Sequence, residues 1–172
     1  MPGEQHLPDS KGAIVRPELT VAAVIERDGR FMFVEERIRG RLQINQPAGH
    51  VEPGETLLDA VCRETLEETA WTFLPESMIG VYLWGRGPGQ PTFLRVAFSG
   101  ACDDHDEHRQ LDTGIERVVW LRRDELIART PQLRSPMVLR AVDDYLAGIR
   151  YPRDLIRDIE PAQLLKQAAL IA

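Results

Sequence analysis

The sequence predicts a mixed α/β (α+β) domain on three observations: apolar strand-like runs joined by an Asp-Gly turn, a capped amphipathic helix from Thr56, and a proline-started helix from Ser135. With 172 residues and 43% hydrophobic content, the chain is long enough to bury one sizeable core and carry appendages. We expect an N-terminal extension over residues 1–17, a catalytic-sized domain over 18–148, and a C-terminal tail over 149–172 packed on or near the domain.

Leu19 to Glu26 is mostly β-branched or small and apolar. Asp28-Gly29 then supplies a tight turn and Phe31 to Glu35 runs apolar again, which reads as a β-hairpin. Arg37, Ile38, Arg39, Gly40 and Arg41 read as a polar loop leading through Asn45-Gln46-Pro47. After the Pro53-Gly54 turn, Thr56 with Asp59 three positions on is a capping box, and Leu58, Val61, Cys62 and Leu66 recur at helical spacing. Met78 to Trp84 and Thr92 to Phe98 predict two strands joined by a Gly/Pro loop. Arg117 to Leu121 predicts another, and Arg123 to Ala128 a short helix. Ser135-Pro136 opens the last helix, with Val138, Leu139, Val142, Tyr145 and Leu146 on one face and Gly148 as its stop.

Composition narrows the function. A formal charge of −6 and a pI near 5.3 argue against a protein that grips nucleic acid by its phosphates. Cys62 and Cys102 are too few for a disulfide framework and lack a zinc-ligand spacing, so a reducing cytoplasm fits. The first sixteen residues lack the apolar run of a signal peptide, and no stretch approaches a membrane span. Monomer and homodimer are both open.

The helix from Thr56 carries the chemistry. At about 100° per residue, Glu64, Glu67 and Glu68 fall within an arc of roughly 100° on one side of it. Like charges three or four residues apart destabilise a helix by a few tenths of a kcal/mol each, so a cation among them explains the arrangement better. Arg63, one turn before Glu67, offsets part of the repulsion. Such carboxylates suit Mg²⁺, with Mn²⁺ as a substitute. The ion would neutralise phosphate charge and acidify a water that a neighbouring carboxylate deprotonates. The alternative is an ordinary solvated glutamate face.

The wider pattern weighs against that alternative. Gly49, Glu55, Arg63-Glu64 and Glu67-Glu68, within GHVEPGETLLDAVCRETLEETAW, resemble the signature of the Nudix hydrolases. Six such residues would match by chance on the order of once in 10⁵ chains of this size. Thr65 stands where an aliphatic residue is usual, and Ala70 replaces the glycine that normally ends the helix. If that position is a left-handed cap, alanine there costs roughly 1 kcal/mol.

The resemblance extends from about Leu19 to Pro152 and implies an α/β/α sandwich around a mixed sheet. Asn45 to His50, Trp84, Thr92 to Arg95, Leu133 to Pro136 and Tyr151-Pro152 resemble a bacterial phosphatase subgroup of the family. That subgroup implies release of terminal phosphate from nucleoside tri- and diphosphates and from thiamin-pathway pyrophosphates, including hydroxymethylpyrimidine pyrophosphate. It also implies Glu64, Glu67 and Glu68 as metal ligands with the Gly49 carbonyl, and Glu55 and Arg63 as the residues that orient them. The general base stays open between Glu64 in the signature and Asp112 or Glu116 later. Gly114, where the subgroup carries an acid, favours the signature.

For the substrate, Trp84 could stack on a pyrimidine and Arg95 or Arg41 could grip a phosphate, while His50 is split between a substrate contact and a structural hydrogen bond. A strand tryptophan is more often core, and arginines 37, 39 and 41 more often a solvated loop. Asp103 to His108 lacks a zinc spacing and reads as an exposed acidic loop. Gly85 to Gly89 lacks the ending of a P-loop. Two other readings remain: a pyrophosphohydrolase cutting between α and β phosphates, and a ligand-sensing domain that has lost the chemistry.

Overall fold

The structure, a computed structural model, describes residues 14–159. Most of the expected extension and the end of the expected tail lie outside the described residues. In chain order the elements are β1 (Glu18–Arg27), β2 (Arg30–Ile38), β3 (Arg41–Asn45), β4 (Ala48–His50), α1 (Leu57–Thr69), β5 (Trp71–Gly85), β6 (Thr92–His105), β7 (Ile115–Leu121), α2 (Arg123–Ala128), α3 (Pro136–Leu146) and β8 (Tyr151–Pro152).

Side chains alternate across a strand, and β1 is apolar on both faces. Val21, Ala23 and Ile25 leave on one side and Ala22 and Val24 on the other, none more than 1% exposed. Each face therefore needs a cover. Helix α1 packs Leu57, Ala60 and Val61 against the first, together with Phe73, Met78, Val96 and Phe98. Helix α3 packs Val138, Ala141 and Val142 against the second, with Leu126 of α2 beside it. The result is the expected α/β/α sandwich around a mixed sheet. The sheet runs β3-β2-β1-β6-β5-β8, with β4 on β1 and β7 on β2. Its parallel pair is β1 with β6, Glu18 to Ile25 against Phe93 to Gly100.

Asp28 and Gly29 both have positive φ (52° and 75°), as a two-residue hairpin turn requires. Beyond the turn β1 and β2 part, remaining paired only at Glu26 with Phe31 and Arg27 with Arg30. That divergence frees β1 to receive β4, and so brings Gly49 and His50 beside Val21 and Thr20.

Several local expectations are corrected. Arg37 to Arg41 is not a loop: Arg39 and Gly40, at φ 48° and 78°, turn a second hairpin in which Ile38 pairs with Arg41. Exposed strand ends carry polar residues and give no alternating apolar signal. Strands β5 and β6 run further than expected, so Asp103 and His105 pair with Thr72 and Trp71 rather than lying in a loop. The register shifts between Pro75 and Ser77, and a Cβ on Gly100 would fall 2.0 Å from the Leu74 carbonyl, so only glycine fits that irregularity.

In α1 the capping box is present: Asp59 N–H donates to Thr56 Oγ1 at 3.1 Å and Thr56 N–H to Asp59 Oδ2 at 3.2 Å. The buried face is turned relative to expectation. Leu58, Cys62 and Leu66 are half-buried, whereas Ala60 and Thr65 are buried, Thr65 donating its hydroxyl to Val61 O at 2.7 Å. In α3, Leu146 is 53% exposed while Met137 and Ala141 take the interior. Ala70 does form the left-handed cap of α1 (φ 61°, ψ 13°), its N–H donating to Leu66 O at 2.9 Å. Its methyl is 2% exposed, and burying it returns about 0.8 kcal/mol, most of what the backbone conformation costs.

Candidate active site

Helix α1 presents Arg63, Glu64, Glu67 and Glu68 toward β4, and Arg63 ties the group together. Its Nε and Nη2 donate to Glu55 Oε1 and Oε2 at 2.6 and 3.0 Å, a two-pronged pairing that a planar guanidinium makes well. Its Nη1 donates to Glu64 Oε1 at 2.8 Å and Glu67 Oε2 at 3.0 Å, and Nη2 reaches His50 O at 2.9 Å. One side chain thus fixes the helix to the loop before it and to β4. Arg63 and Glu55 set each other: hydrogen bonding to Arg63 first, then to the Glu52 backbone, holds the Glu55 carboxyl down at about 2.

Gly49 lies against Glu64. A Cβ there would stand 2.1 Å from the Glu64 carboxyl carbon, so the seating of that carboxylate against β4 depends on glycine. Next to it the Ala48 N–H donates to Glu68 Oε2 at 2.9 Å. Burial pushes the Glu68 carboxyl up to about 8, against the lowering effect of the Ala48 bond, and Glu64, Glu36 and Asp112 push it further. Glu64 is also raised, by burial first, with Arg63 opposing and Glu67 and Asp112 adding to it.

That donor set fits a divalent cation. Glu64 feels the charges of Glu67 and Asp112, and Glu68 those of Glu64, Glu36 and Asp112, and this mutual repulsion is what a hard oxygen-seeking ion would relieve. As the side chains stand, no three acids among the described residues surround a single point. Arg63 bridges Glu64 and Glu67, and Glu68 is turned to the Ala48 N–H. Coordination would need Glu64 and Glu67 to swing from Arg63 Nη1.

A cleft of about 190 Å³ opens beside Gly49 and Glu68. Trp84 and Phe93 form one wall, their rings stacked at 5.9 Å and 24°, with the Arg86 guanidinium 5.4 Å from the Trp84 ring. Register explains the wall, since Trp84 pairs with Phe93 and Tyr82 with Arg95 across β5 and β6. Trp84 is half-exposed there rather than core. Arg95 lines the cleft, is only 6% exposed, and donates from Nη1 to Asn45 Oδ1 at 3.2 Å. His50 reaches the rim, its Nε2 2.9 Å from Glu18 Oε2.

Arg41 stands apart. It starts strand β3 as its exposed residue and does not line the cleft. Glu116 also points elsewhere, accepting from Arg37 Nε at 2.6 Å, whereas Asp112 sits by the helix, its N–H donating to Glu67 O at 3.0 Å. Sequence reasoning missed Glu36, Asn45, Arg134 and Ser135. Glu36 follows the register shift in β2, and Arg134 and Ser135 arrive from the start of α3; nothing local in the sequence ties any of them to Glu68.

The NUDIX domain model matches residues 16–140. Relatives named Phosphatase NudJ, from Shigella boydii and Escherichia coli, are each 36% identical over 143 residues, covering 83% of this chain and 92% of theirs. Among solved structures, a NUDIX hydrolase from Nitrosomonas europaea is 46% identical with a TM-score of 0.81, covering 84% of this chain and 98% of that one. A UDP-X diphosphatase shares the fold at 20% identity and a TM-score of 0.65, over 83% of this chain and 69% of that one.

Proposed function

This chain belongs to the NUDIX domain family and is a hydrolase of phosphoanhydride bonds, and from that premise we propose that it is a cytoplasmic, Mg²⁺-dependent phosphatase of small molecules. Its substrates in this reading are nucleoside tri- and diphosphates and pyrimidine or thiamin pyrophosphates, from which it releases orthophosphate; Mn²⁺ would substitute. The observation that carries the reading is that Glu68 and Gly49 line the same cleft as Trp84 and Arg95, so acids, a flat aromatic wall and a buried cation face one ligand. The 36% identity to Phosphatase NudJ over most of both chains supports the choice of terminal phosphate.

Glu64, Glu67, Glu68 and the Gly49 carbonyl would hold the cation, with Glu55 and Arg63 orienting them. The bound ion supplies neutralisation of phosphate charge and acidification of water. Glu64, whose carboxyl burial already makes more basic, takes the proton of the attacking water. The water oxygen bonds to the terminal phosphorus as the bridging P–O bond breaks, and the bridging oxygen leaves on the rest of the substrate. Trp84 stacks on the organic ring and Arg95 donates to phosphate oxygen.

In this reading the catalytic domain is 18–148, with 1–17 an extension and 149–172 a tail on or near it, of which 149–159 are described. The pairing of Tyr151 and Pro152 with Met78 and Ser77, and the bond from Arg153 Nη1 to Pro75 O at 3.1 Å, support the last point.

The test is phosphate release with Mg²⁺ on thiamin pyrophosphate, hydroxymethylpyrimidine pyrophosphate and nucleoside di- and triphosphates, with and without added pyrophosphatase. Orthophosphate without pyrophosphatase is the expected result. Orthophosphate only after its addition would mean cleavage between α and β phosphates and would overturn the phosphatase assignment.

A further inference from the structure

Four buried side-chain polar atoms lack a hydrogen-bond partner among the described residues, and three of them, Thr20 Oγ1, Arg95 Nε and Ser135 Oγ, belong to residues lining the cleft. All three residues are no more than 6% exposed. Unpaired buried polar groups are costly, so their concentration at one wall points to a ligand that pairs them.

Ser135 is the clearest case. It is the N-cap of α3 in extended conformation (φ −161°, ψ 164°), where serine ordinarily spends its oxygen on a first-turn N–H, yet it makes no such bond. The positive end of an 11-residue helix, behind Pro136, therefore opens on the cleft with its cap unused. Arg134 precedes it, anchored by its N–H to Ile44 O at 2.9 Å and by Nη1 to Gln43 Oε1 at 3.0 Å. Arg95 is close enough to feel Arg134. Burial first, and Arg134 with it, pull the Arg95 guanidinium down to about 10 while Glu68 opposes them. Three guanidiniums, those of Arg86 on the Trp84 ring and of Arg95 and Arg134 near the start of α3, share one concavity with a helix N-terminus and a free hydroxyl, and its acids are Glu36 and Glu68.

We propose that Arg95, Arg134, Ser135 and the N-terminus of α3 form a phosphate cradle that holds the phosphate remaining with the organic part of the substrate. Its ring then lies along Trp84 and Phe93, and the phosphate to be released lies toward Glu64 and Glu67. Helix N-termini take phosphate for the same reason elsewhere, through oriented N–H groups and the helix dipole. The assignment to the retained phosphate rests on the hydrolase reading; the anion site itself does not. It makes the phosphomonoester product a ligand and favours substrates in which the scissile bond joins two phosphates.

The test is calorimetric titration of inorganic phosphate and of CMP into the full chain in EDTA, without turnover. Phosphate should bind the wild type, and Ser135→Ala and Arg134→Ala should each weaken it by ~10-fold. Ser135→Ala removes no hydrogen bond seen in the fold, so its melting temperature should match the wild type, and Arg41→Ala, outside the cleft, should bind phosphate as the wild type does. No phosphate binding, or equal binding in both cradle variants, overturns the cradle. CMP should bind more tightly than phosphate; equal affinities overturn the assignment to the retained phosphate. A protein that binds phosphate in this pattern yet hydrolyses nothing would sink the hydrolase reading and leave the cradle standing.

Discussion

Gly49→Ala is a small change whose effect follows from one distance. The new methyl would stand 2.1 Å from the Glu64 carboxyl carbon, and ordinary contact begins near 3.4 Å, so the carboxylate must retreat by about 1.3 Å. Glu64 is a flexible side chain, so the fold yields cheaply. What it loses is the position of the Glu64 carboxylate against Gly49. Misplacing a catalytic group by about 1 Å costs on the order of 100-fold in rate, equivalent to about 2.7 kcal/mol of transition-state stabilisation. Steady-state kinetics should therefore show kcat/KM lowered by ~100-fold, mostly in kcat, while circular dichroism melting changes by only a few degrees. A variant retaining kcat/KM within threefold of the wild type would refute the role of this close approach.

Arg63→Ala should lower kcat by at least ~100-fold and lower the denaturant midpoint, because Glu55, Glu64 and Glu67 lose their common partner. Arg63→Lys should recover little of either, an ammonium being unable to span both Glu55 oxygens and Glu67. Trp84→Ala should raise KM by ~10-fold for ring-bearing substrates and leave tripolyphosphate hydrolysis unchanged, as stacking is worth about 1–3 kcal/mol per base; an equal effect on tripolyphosphate would deny the stacking role. The Glu68 carboxyl is raised from 4.5 to about 8, so the folded state binds the proton more tightly than the unfolded chain. Its contribution to stability is complete below about 4.5 and is lost as pH rises through about 8. In EDTA, melting temperature should fall across that window, Glu68→Gln should flatten the fall, and Mg²⁺ should restore most at the alkaline end. A wild-type melting curve that Glu68→Gln leaves unchanged in slope would contradict it.

The parts legible in the sequence are those with local signals. The Asp28-Gly29 hairpin, the Thr56–Asp59 capping box, the short helix α2 and the Ser135-Pro136 helix start each depend on residues within a few positions of one another. Strand β3 was not legible because its outward residues are polar and its partner is an equally polar strand end. The first half of β5 was hidden by Pro75, Glu76 and Ser77, whose irregular pairing is set by strands distant in sequence, β6 and β8. Ala60 and Thr65 turn the buried face of α1, because a methyl and a self-satisfied hydroxyl pack where larger apolar residues were expected.

The site divides in the same way. Arg63, Glu64, Glu67 and Glu68 lie on one helix, so their neighbourhood follows from helical geometry and a spacing of residues. Gly49 joins them by strand pairing that the spacing alone does not reveal. Among the arginines, sequence patterning singled out Arg41 as readily as Arg95, yet the sheet buries Arg95 beside Asn45 and leaves Arg41 at an exposed hairpin. Arg134 and Ser135 reach the cleft because α3 covers the face of the sheet that carries Ala22, Ala97 and Arg95, a tertiary fact.

The most direct measurement of the central claim is the rate of orthophosphate release by Glu67→Gln in Mg²⁺, alongside its melting temperature. Replacing one carboxylate oxygen by an amide keeps the shape and removes the charge that would hold the ion. Turnover should fall by at least ~100-fold, with a melting temperature close to that of the wild type. Near-normal turnover in the folded variant would contradict the assignment of the α1 carboxylates to the catalytic centre.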